Sequence, residues 1–294
     1  MSRERVIRWA GILGAVLGLL SCRGRDQPAR ADTATDSAAI AQAEANAPTE
    51  WVSELGQLLV VPSDSEHAAV VIFPDFPSAR LVASAPMTLV NSGGDTVASR
   101  AQLVATESEQ CGGAPLVNLT DRPSAAWSVG LLRGRASPLR MDSVQAMPSA
   151  DSARVVADVA RLASVLTVSR ESRFSGLPFT VLGAHRVELG DHQAIVAHLV
   201  RRLPQEASPL EEHTLIIAER AKASASAPWA LSYSQLSEGS EDTADHFAVL
   251  AAVKAGDQTL LVLARDQLER TRYEILERSR AGAWRSRWSR TLVC

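Results

Sequence analysis

The sequence predicts an α+β domain, predominantly antiparallel β-structure with one long helix at about residues 151–167. Short apolar runs separated by turn residues recur through most of the chain, which is typical of strands. Because the connections between these runs are short, we expect antiparallel pairing rather than the long crossovers that parallel strands need. The helix prediction depends on a stripe of apolar residues with a helical period: Val155, Val156, Val159, Leu162, Val165 and Leu166.

The first half of the domain is expected to begin with a short helix and to continue as strands. Thr49 is placed to cap that helix, whose apolar face would consist of Trp51, Leu55, Leu58 and Leu59. Residues 91–95 read Asn-Ser-Gly-Gly-Asp, which predicts a hairpin turn because glycine adopts positive φ without strain. Strands are predicted at residues 68–73, 80–90, 96–105, 116–119 and 127–132.

The second half predicts a β-rich meander with one apolar face on the core. Its strands are expected at residues 179–189, 193–203, 213–220, 229–236, 247–254, 259–265, 272–278 and 284–293. We interpret residues 49–294 as a single globular domain. The alternative is two lobes, residues 49–148 and 175–294, joined by the helix at 149–168.

The N-terminus indicates where the protein is located. Residues 1–21 begin with net positive charge and continue into an apolar run over residues 10–20, the usual length of the apolar region in a signal peptide. A membrane-spanning helix needs roughly twenty apolar residues. Leu19-Leu20-Ser21-Cys22 resembles the lipobox of bacterial lipoproteins. The resemblance implies cleavage before Cys22 and attachment of acyl chains to its thiol; plain secretion and a retained helix are the alternatives.

The residues after Cys22 extend this prediction. Position 23 is arginine rather than aspartate, and in the lipoprotein family this favours the outer membrane of a diderm bacterium. Residues 22–48 contain almost no large apolar side chains, so we expect a disordered tether. The formal net charge of the chain is −3, and residues 1–21 carry three arginines and one glutamate, so the mature chain would be at about −5. A mildly acidic chain is not expected to bind nucleic acid.

The sequence contains three cysteines. If Cys22 carries the lipid, Cys111 and Cys294 remain, and two cysteines in an oxidising compartment predict a disulfide. Two unpaired buried thiols are the alternative. Such a bridge would close a long loop and stabilise the chain end, with an upper limit near 5 kcal/mol in the chain-entropy account.

Motifs for the common enzyme classes are absent: Gly-x-Ser-x-Gly, Ser-x-x-Lys, His-Glu-x-x-His, Cys-x-x-Cys and the phosphate-binding glycine loop. The sequence therefore indicates no catalytic residue and no cofactor. We expect a lipid-anchored envelope protein with a β-rich domain that binds a ligand or a partner. A structural component of an envelope complex is the first alternative, and an envelope hydrolase of unrecognised type is the second.

Two groups of residues are candidates for binding. The first is His185, His192 and His198. If residues 190–191 form a two-residue turn, His198 lies diagonally across from His185 on the same sheet face, and imidazoles so placed could bind zinc or copper. Independent histidines are the alternative. The other group is a basic and aromatic hairpin that could bind an anionic glycan, a lipid headgroup or an envelope protein. Its members are Tyr273, Trp284, Arg285, Arg287 and Trp288. A core-facing row of tryptophans with a charged outer face is the alternative.

Overall fold

A computed structural model describes the parts of the chain from which the fold is built. They are residues 51–60, 68–72, 85–105, 114–120, 127–168, 172–204, 209–224, 226–240, 243–267 and 270–293. Cys22, Cys111 and Cys294 lie outside these ranges, as do the predicted signal peptide and tether. The lipid anchor and the disulfide therefore stay predictions.

The strands before the helix are short. They are β1 (Leu58–Val60), β2 (Ala68–Ile72), β3 (Ala85–Val90), β4 (Thr96–Ala105), β5 (Leu116–Leu119), β6 (Val129–Leu132), β7 (Ser137–Leu139) and β8 (Met141–Ser143). Helix α1 spans Ser149–Val168. Short 3-10 turns lie at Ser53–Leu55, Val144–Ala146 and Lys222–Ser224.

The strands after the helix are longer, and each follows its predecessor as an antiparallel neighbour or begins a new sheet. They are β9 (Thr180–Glu188), β10 (His192–Leu203), β11 (Leu210–Ala221), β12 (Ala230–Ser240), β13 (His246–Ala255), β14 (Gln258–Gln267), β15 (Arg270–Arg278) and β16 (Trp284–Leu292). The predicted fold class is confirmed: the described chain is mostly antiparallel β with a single α-helix.

Three sheets organise these strands. The first six close into a barrel in the order β1-β2-β5-β4-β3-β6. The hairpin turn predicted at residues 91–95 joins β3 to β4, and the Asn91 side-chain oxygen accepts the N–H groups of Gly93 and Asp95 at 2.9 Å. Gly94 has φ of 85°, and a Cβ there would lie 2.7 Å from the carbonyl oxygen of Leu139. This position therefore requires glycine.

The other two sheets have five strands each, in the orders β12-β11-β10-β9-β8 and β16-β15-β14-β13-β7. We call them the β8–β12 sheet and the β13–β16 sheet. Strands β7 and β8 are consecutive, yet they join different sheets, with only Arg140 between them. One extended segment thus forms an edge of both sheets.

The layers stack in the order barrel, β13–β16 sheet, β8–β12 sheet, helix. One core lies between the barrel and the β13–β16 sheet, and its members include Leu58, Leu131 and Ile275. A second lies between the two sheets and includes Val196 and Leu263. The third lies under α1. Each five-stranded sheet is therefore covered on both faces.

The predicted meander is confirmed, because β9–β12 and β13–β16 each pair in sequence order. The expectation that only one face of it is apolar is wrong, since both faces of each sheet are covered. Residues 194–201 of β10 and 211–219 of β11 are buried without alternation, because odd and even positions face different cores. The helix predicted at residues 49–59 is also wrong. Gly56, at φ of 67°, follows the 3-10 turn Ser53–Leu55, and the chain then enters β1.

Helix α1 packs on the third core through Val155, Val159 and Ala163. Val165, which the predicted stripe included, is 64% exposed and points away from that core. Among the described residues, no helix has both the length and the apolar character that a membrane crossing requires.

Candidate metal centre

The hairpin of β10 and β11 places a row of polar side chains on the face toward the β13–β16 sheet. Residues alternate between the two faces of a strand, so Glu211 and His213 share the face of Leu215, which lies in the core between the sheets. Across the hairpin, Arg202 lies opposite Glu211 and His198 lies opposite Leu215. His198 is therefore a diagonal neighbour of His213 on the same face.

These four residues form a hydrogen-bonded chain that we call the histidine relay: Arg202, Glu211, His213 and His198. The His198 Nε2 and His213 Nδ1 atoms are 2.8 Å apart, and His213 Nε2 lies 2.6 Å from Glu211 Oε2. Arg202 donates from Nε to the other carboxylate oxygen, Glu211 Oε1. An ionised carboxylate only accepts, so His213 donates from Nε2, its Nδ1 accepts, and His198 is the donor.

Two residues of the facing β13–β16 sheet pack against the histidine relay. His246, the first residue of β13, has its ring centroid 4.4 Å from that of His213, at an interplanar angle of 60°. The next residue, Phe247, places its ring edge-to-face with His198 at a centroid separation of 5.5 Å. Residues of both sheets thus meet at this point.

Burial is nearly complete on the β8–β12 side. His213 is 0% exposed, Glu211 is 2% exposed and His198 is 8% exposed. His246 is half-buried, and Arg202 is exposed at the rim. The cluster therefore has a buried floor and one partly open edge.

Burial sets the charge of the two inner histidines. Desolvation lowers the pKa of His198 from 6.5 to about 3, and the neighbouring His213 and His246 contribute to this lowering. Desolvation also lowers the pKa of His213, against the opposing effect of its hydrogen bond to Glu211. Both rings are neutral at pH 7, which is the form that binds metal ions.

Glu211 remains ionised despite its burial. Desolvation raises its pKa, but the hydrogen bonds from His213 and Arg202 together outweigh that effect and leave the pKa below its ordinary value. The cluster therefore combines one carboxylate with neutral imidazoles.

Three of these residues could hold a metal ion. Glu211, His213 and His246 each offer one ligand atom, and these atoms all lie within 4.8 Å of one another. We call these three residues the metal centre. In a tetrahedral zinc site with bonds of about 2.0–2.1 Å, ligand atoms are separated by about 3.3 Å, so small side-chain rotations would complete the geometry.

The opposite end of β11 carries a second buried glutamate with different neighbours. Arg278 of β15 donates from Nε and Nη2 to Glu219, the Nη2 contact to Oε2 being 2.7 Å. Trp284 of β16 donates from Nε1 to Glu219 Oε1 at 2.6 Å. We call Glu219, Arg278 and Trp284 the glutamate staple, because it joins the two sheets through donors that cannot bind a metal.

The predicted histidine group is only partly brought together. His185 pairs with Val196, as the predicted turn requires. His192 lies at that turn, where its Nδ1 is 2.9 Å from Asp191 Oδ1. Among the described residues, the only grouping of metal-binding side chains excludes His185 and His192, and of the three predicted candidates only His198 reaches the cluster.

The predicted aromatic and basic binding face does not form one surface. Tyr273, Trp284 and Trp288 are at most 7% exposed, and Trp284 lies in a different core from the other two. The cause is a bulge in β16: Ile275 pairs with Trp288 but Leu276 pairs with Ser286, so Arg287 is the extra residue.

The two arginines of that predicted face pair with a glutamate of the neighbouring strand. Arg285 donates to Glu277 Oε2 at 3.0 Å and is exposed, and Arg287 lies 3.4 Å from the same oxygen. The alternative interpretation, buried tryptophans with charged residues paired across strands, describes this hairpin better. The tryptophans do not form one core-facing row, because Trp284 and Trp288 lie in different cores.

Sequence reasoning missed Glu211, His213 and His246. Glu-x-His within a strand places both side chains on one face, and that pattern was present at 211–213. His246 carried no such signal, because only the stacking of the two sheets brings it to His213.

No family model, curated protein or solved structure matches this chain. The chemistry of the site therefore depends on the distances, burial and charges given above.

Proposed function

We propose that this protein is a lipid-anchored envelope protein whose β-rich domain binds a divalent transition metal ion, zinc by its donor set, at Glu211, His213 and His246. One observation carries the proposal: a buried carboxylate and two imidazoles from two different sheets place their ligand atoms within 4.8 Å of one another. Two histidines and a glutamate are an established ligand set for zinc, with a fourth position left to water or another ligand.

The charge state of the cluster supports metal binding over simple packing. A buried carboxylate with neutral imidazoles has lone pairs and one negative charge to offer a cation. Arg202 binds only Glu211 Oε1, so Oε2 is the oxygen available to an ion. An ion bound between Glu211 and His213 takes the place of the proton in their hydrogen bond.

The histidine relay could adopt a second pair of tautomers to suit such an ion. If His213 Nε2 held the ion, the ring would carry its one proton on Nδ1 and donate a hydrogen bond to His198 Nε2, 2.8 Å away. His198 would then carry its one proton on Nδ1. Both rings would stay neutral, and His198 would be the outer hydrogen-bond partner that orients a metal-binding histidine.

A calorimetric titration of the full-length chain in detergent with zinc chloride tests the metal site. We expect one ion per chain, and His246→Ala should weaken binding by more than the roughly 10–100-fold that loss of an outer hydrogen-bond partner causes. His246 is half-buried, so this variant leaves the inner relay in place.

His192→Ala is the matched control, because His192 is also half-buried and lies beside a carboxylate outside the metal centre. A Cys111→Ser/Cys294→Ser variant tests whether the thiols contribute. The metal proposal is overturned if the wild type binds no zinc, or if His246→Ala binds zinc as tightly as His192→Ala does.

The membrane anchor is tested separately with Cys22→Ser. Each buried CH₂ of an acyl chain contributes about 0.8 kcal/mol to membrane attachment, so loss of the lipid should release the protein from the membrane fraction. A variant that stays in the membrane fraction would show that residues 1–21 are retained as the anchor.

A further inference from the structure

A second concave site lies at the far end of β11. It is a cleft of about 520 Å³ between the turn before β10, the end of β11, the start of β12 and the turn between β15 and β16. Glu219 and Glu211 are eight residues apart on one strand, which is about 26 Å at the usual rise. The cleft and the metal centre are therefore separate sites.

The floor and walls of the cleft differ in chemistry. Small uncharged residues line one part, including Ala221, Ala227, Pro228 and Ala230. Three arginines and two carboxylates line the rest: Arg220, Arg278, Arg280, Asp191 and Glu219. These five side chains give the lining a formal charge of +1. The volume is within the range of pockets that hold small molecules, about 300–1,000 Å³.

Both carboxylates are already engaged within the protein. Glu219 accepts hydrogen bonds from Arg278 and Trp284. The Glu219–Arg278 ion pair has no net charge. Asp191 is bound to His192, and this hydrogen bond lowers the pKa of Asp191. Because Glu219 and Arg278 cancel, the charge left to face a ligand is +1, that of Arg220 and Arg280 less that of Asp191.

These two arginines are held differently. Arg220 lies over the ring of Trp229, its guanidinium carbon 4.1 Å from the ring centroid, and donates to Gln193 Oε1 at 3.4 Å. The stacking fixes the plane of the guanidinium group. Arg280, in the turn after β15, is exposed and makes no hydrogen bond or ion pair with any other residue that the structure describes.

We propose that this cleft binds a small molecule carrying an oxyanion group, phosphate or carboxylate, with an uncharged body on the floor of Ala221, Ala227 and Pro228. The planar donors of arginine match both oxyanions through paired hydrogen bonds. Arg220 supplies a fixed donor and Arg280 a mobile one. The glutamate staple shapes the floor between them and takes no part in binding.

Three probes of similar size test the proposal by calorimetry with the full-length chain in detergent: glycerol 3-phosphate, glycerate and glycerol. We expect binding of at least one anion and none of glycerol. Comparison of the two anions identifies the oxyanion. Arg280→Ala should weaken that binding about tenfold or more, the usual effect of losing a charge-assisted hydrogen bond.

Arg133→Ala is the matched control, an exposed arginine in the turn between β6 and β7. The Arg133→Ala variant should bind the anion with the affinity of the wild type. The indole N–H resonance of Trp229 should shift with the anion in the wild type and shift less in Arg280→Ala. The proposal is overturned if neither anion binds at millimolar concentration, or if Arg280→Ala and Arg133→Ala bind equally.

Discussion

Each end of β11 carries a buried glutamate, and the two glutamates have different neighbours. Glu211 and Glu219 both face the β13–β16 sheet, and each binds an arginine. The second partner of Glu219 is Trp284, whose indole N–H can only donate. The second partner of Glu211 is His213, whose ring can either donate or accept.

This difference separates a structural contact from a candidate ligand site. A carboxylate saturated by arginine and indole donors has no lone pair directed at another ligating group. A carboxylate shared with a neutral imidazole keeps an exchangeable proton that a cation can replace. Both glutamates are buried, so burial alone does not identify the metal site. What distinguishes Glu211 is a hydrogen-bond partner, His213, that can itself bind a metal ion.

The largest expected effect is on the glutamate staple. Glu219→Ala leaves the guanidinium group of Arg278 and the buried N–H of Trp284 without their acceptor, which should cost about 3 kcal/mol of unfolding free energy. Zinc affinity of the folded protein should not change, because the metal centre lies at the other end of β11. Urea unfolding and zinc titration of the same variant check both statements. A loss of zinc affinity without a loss of stability would show that Glu219, rather than Glu211, belongs to the metal site.

The next effect belongs to the histidine relay. His198→Ala should weaken zinc binding by about 10–100-fold, because His213 loses the group that orients it. His198→Gln should restore part of the affinity, since its side-chain oxygen accepts the Nδ1 proton of His213. Nitrogen NMR of the zinc-bound wild type should show His213 protonated on Nδ1. Zinc affinities that are equal in wild type and His198→Ala would remove His198 from the site.

The stability of the metal-free protein is also expected to depend on pH. The folded-state pKa of His198 is about 3 and its unfolded value is near 6.5, so the neutral ring favours the folded state. This stabilisation is complete above pH 6.5 and is lost as the pH falls from 6.5 toward 3. Unfolding in the presence of a chelator should show a shallower loss of stability over this range in His198→Gln than in wild type.

Amide hydrogen exchange over the same pH range compares the two ends of β11 directly. Amides around His198 and His213 should lose protection before those around Glu219, because the glutamate staple contains no histidine. Simultaneous loss at both ends of β11 would show that acid acts on the whole domain.

The sequence predicted the longer strands well because their signals are local, but it did not predict β1, β7 or β8. The turn at residues 190–191 sets the pairing of His185 with Val196, and glycine at 94 sets the hairpin of β3 and β4. The barrel and the double coverage of the sheets were not predicted, since they depend on contacts between distant segments. The continuous burial of residues 211–219 was also missed, because their polar members are buried only through partners on other strands.

The binding residues were harder to predict for the same reason. One extra residue, Arg287, reverses which face Trp288 occupies relative to Trp284, and no local pattern identifies that bulge. The metal centre needs His246 from a second sheet, and sheet stacking cannot be deduced from the spacing of histidines along the chain. His198 was proposed as a neighbour of His185 across β9 and β10, but it reaches the cluster through His213 on β11.

X-ray absorption at the zinc edge, recorded on the full-length chain loaded with one equivalent of zinc, tests the central claim most directly. The account predicts a first shell of nitrogen and oxygen at about 2.0–2.1 Å with two imidazoles, and the loss of one imidazole contribution in His246→Ala. A shell containing sulfur at about 2.3 Å would place the ion on the cysteines, and a spectrum without imidazole would contradict the metal centre.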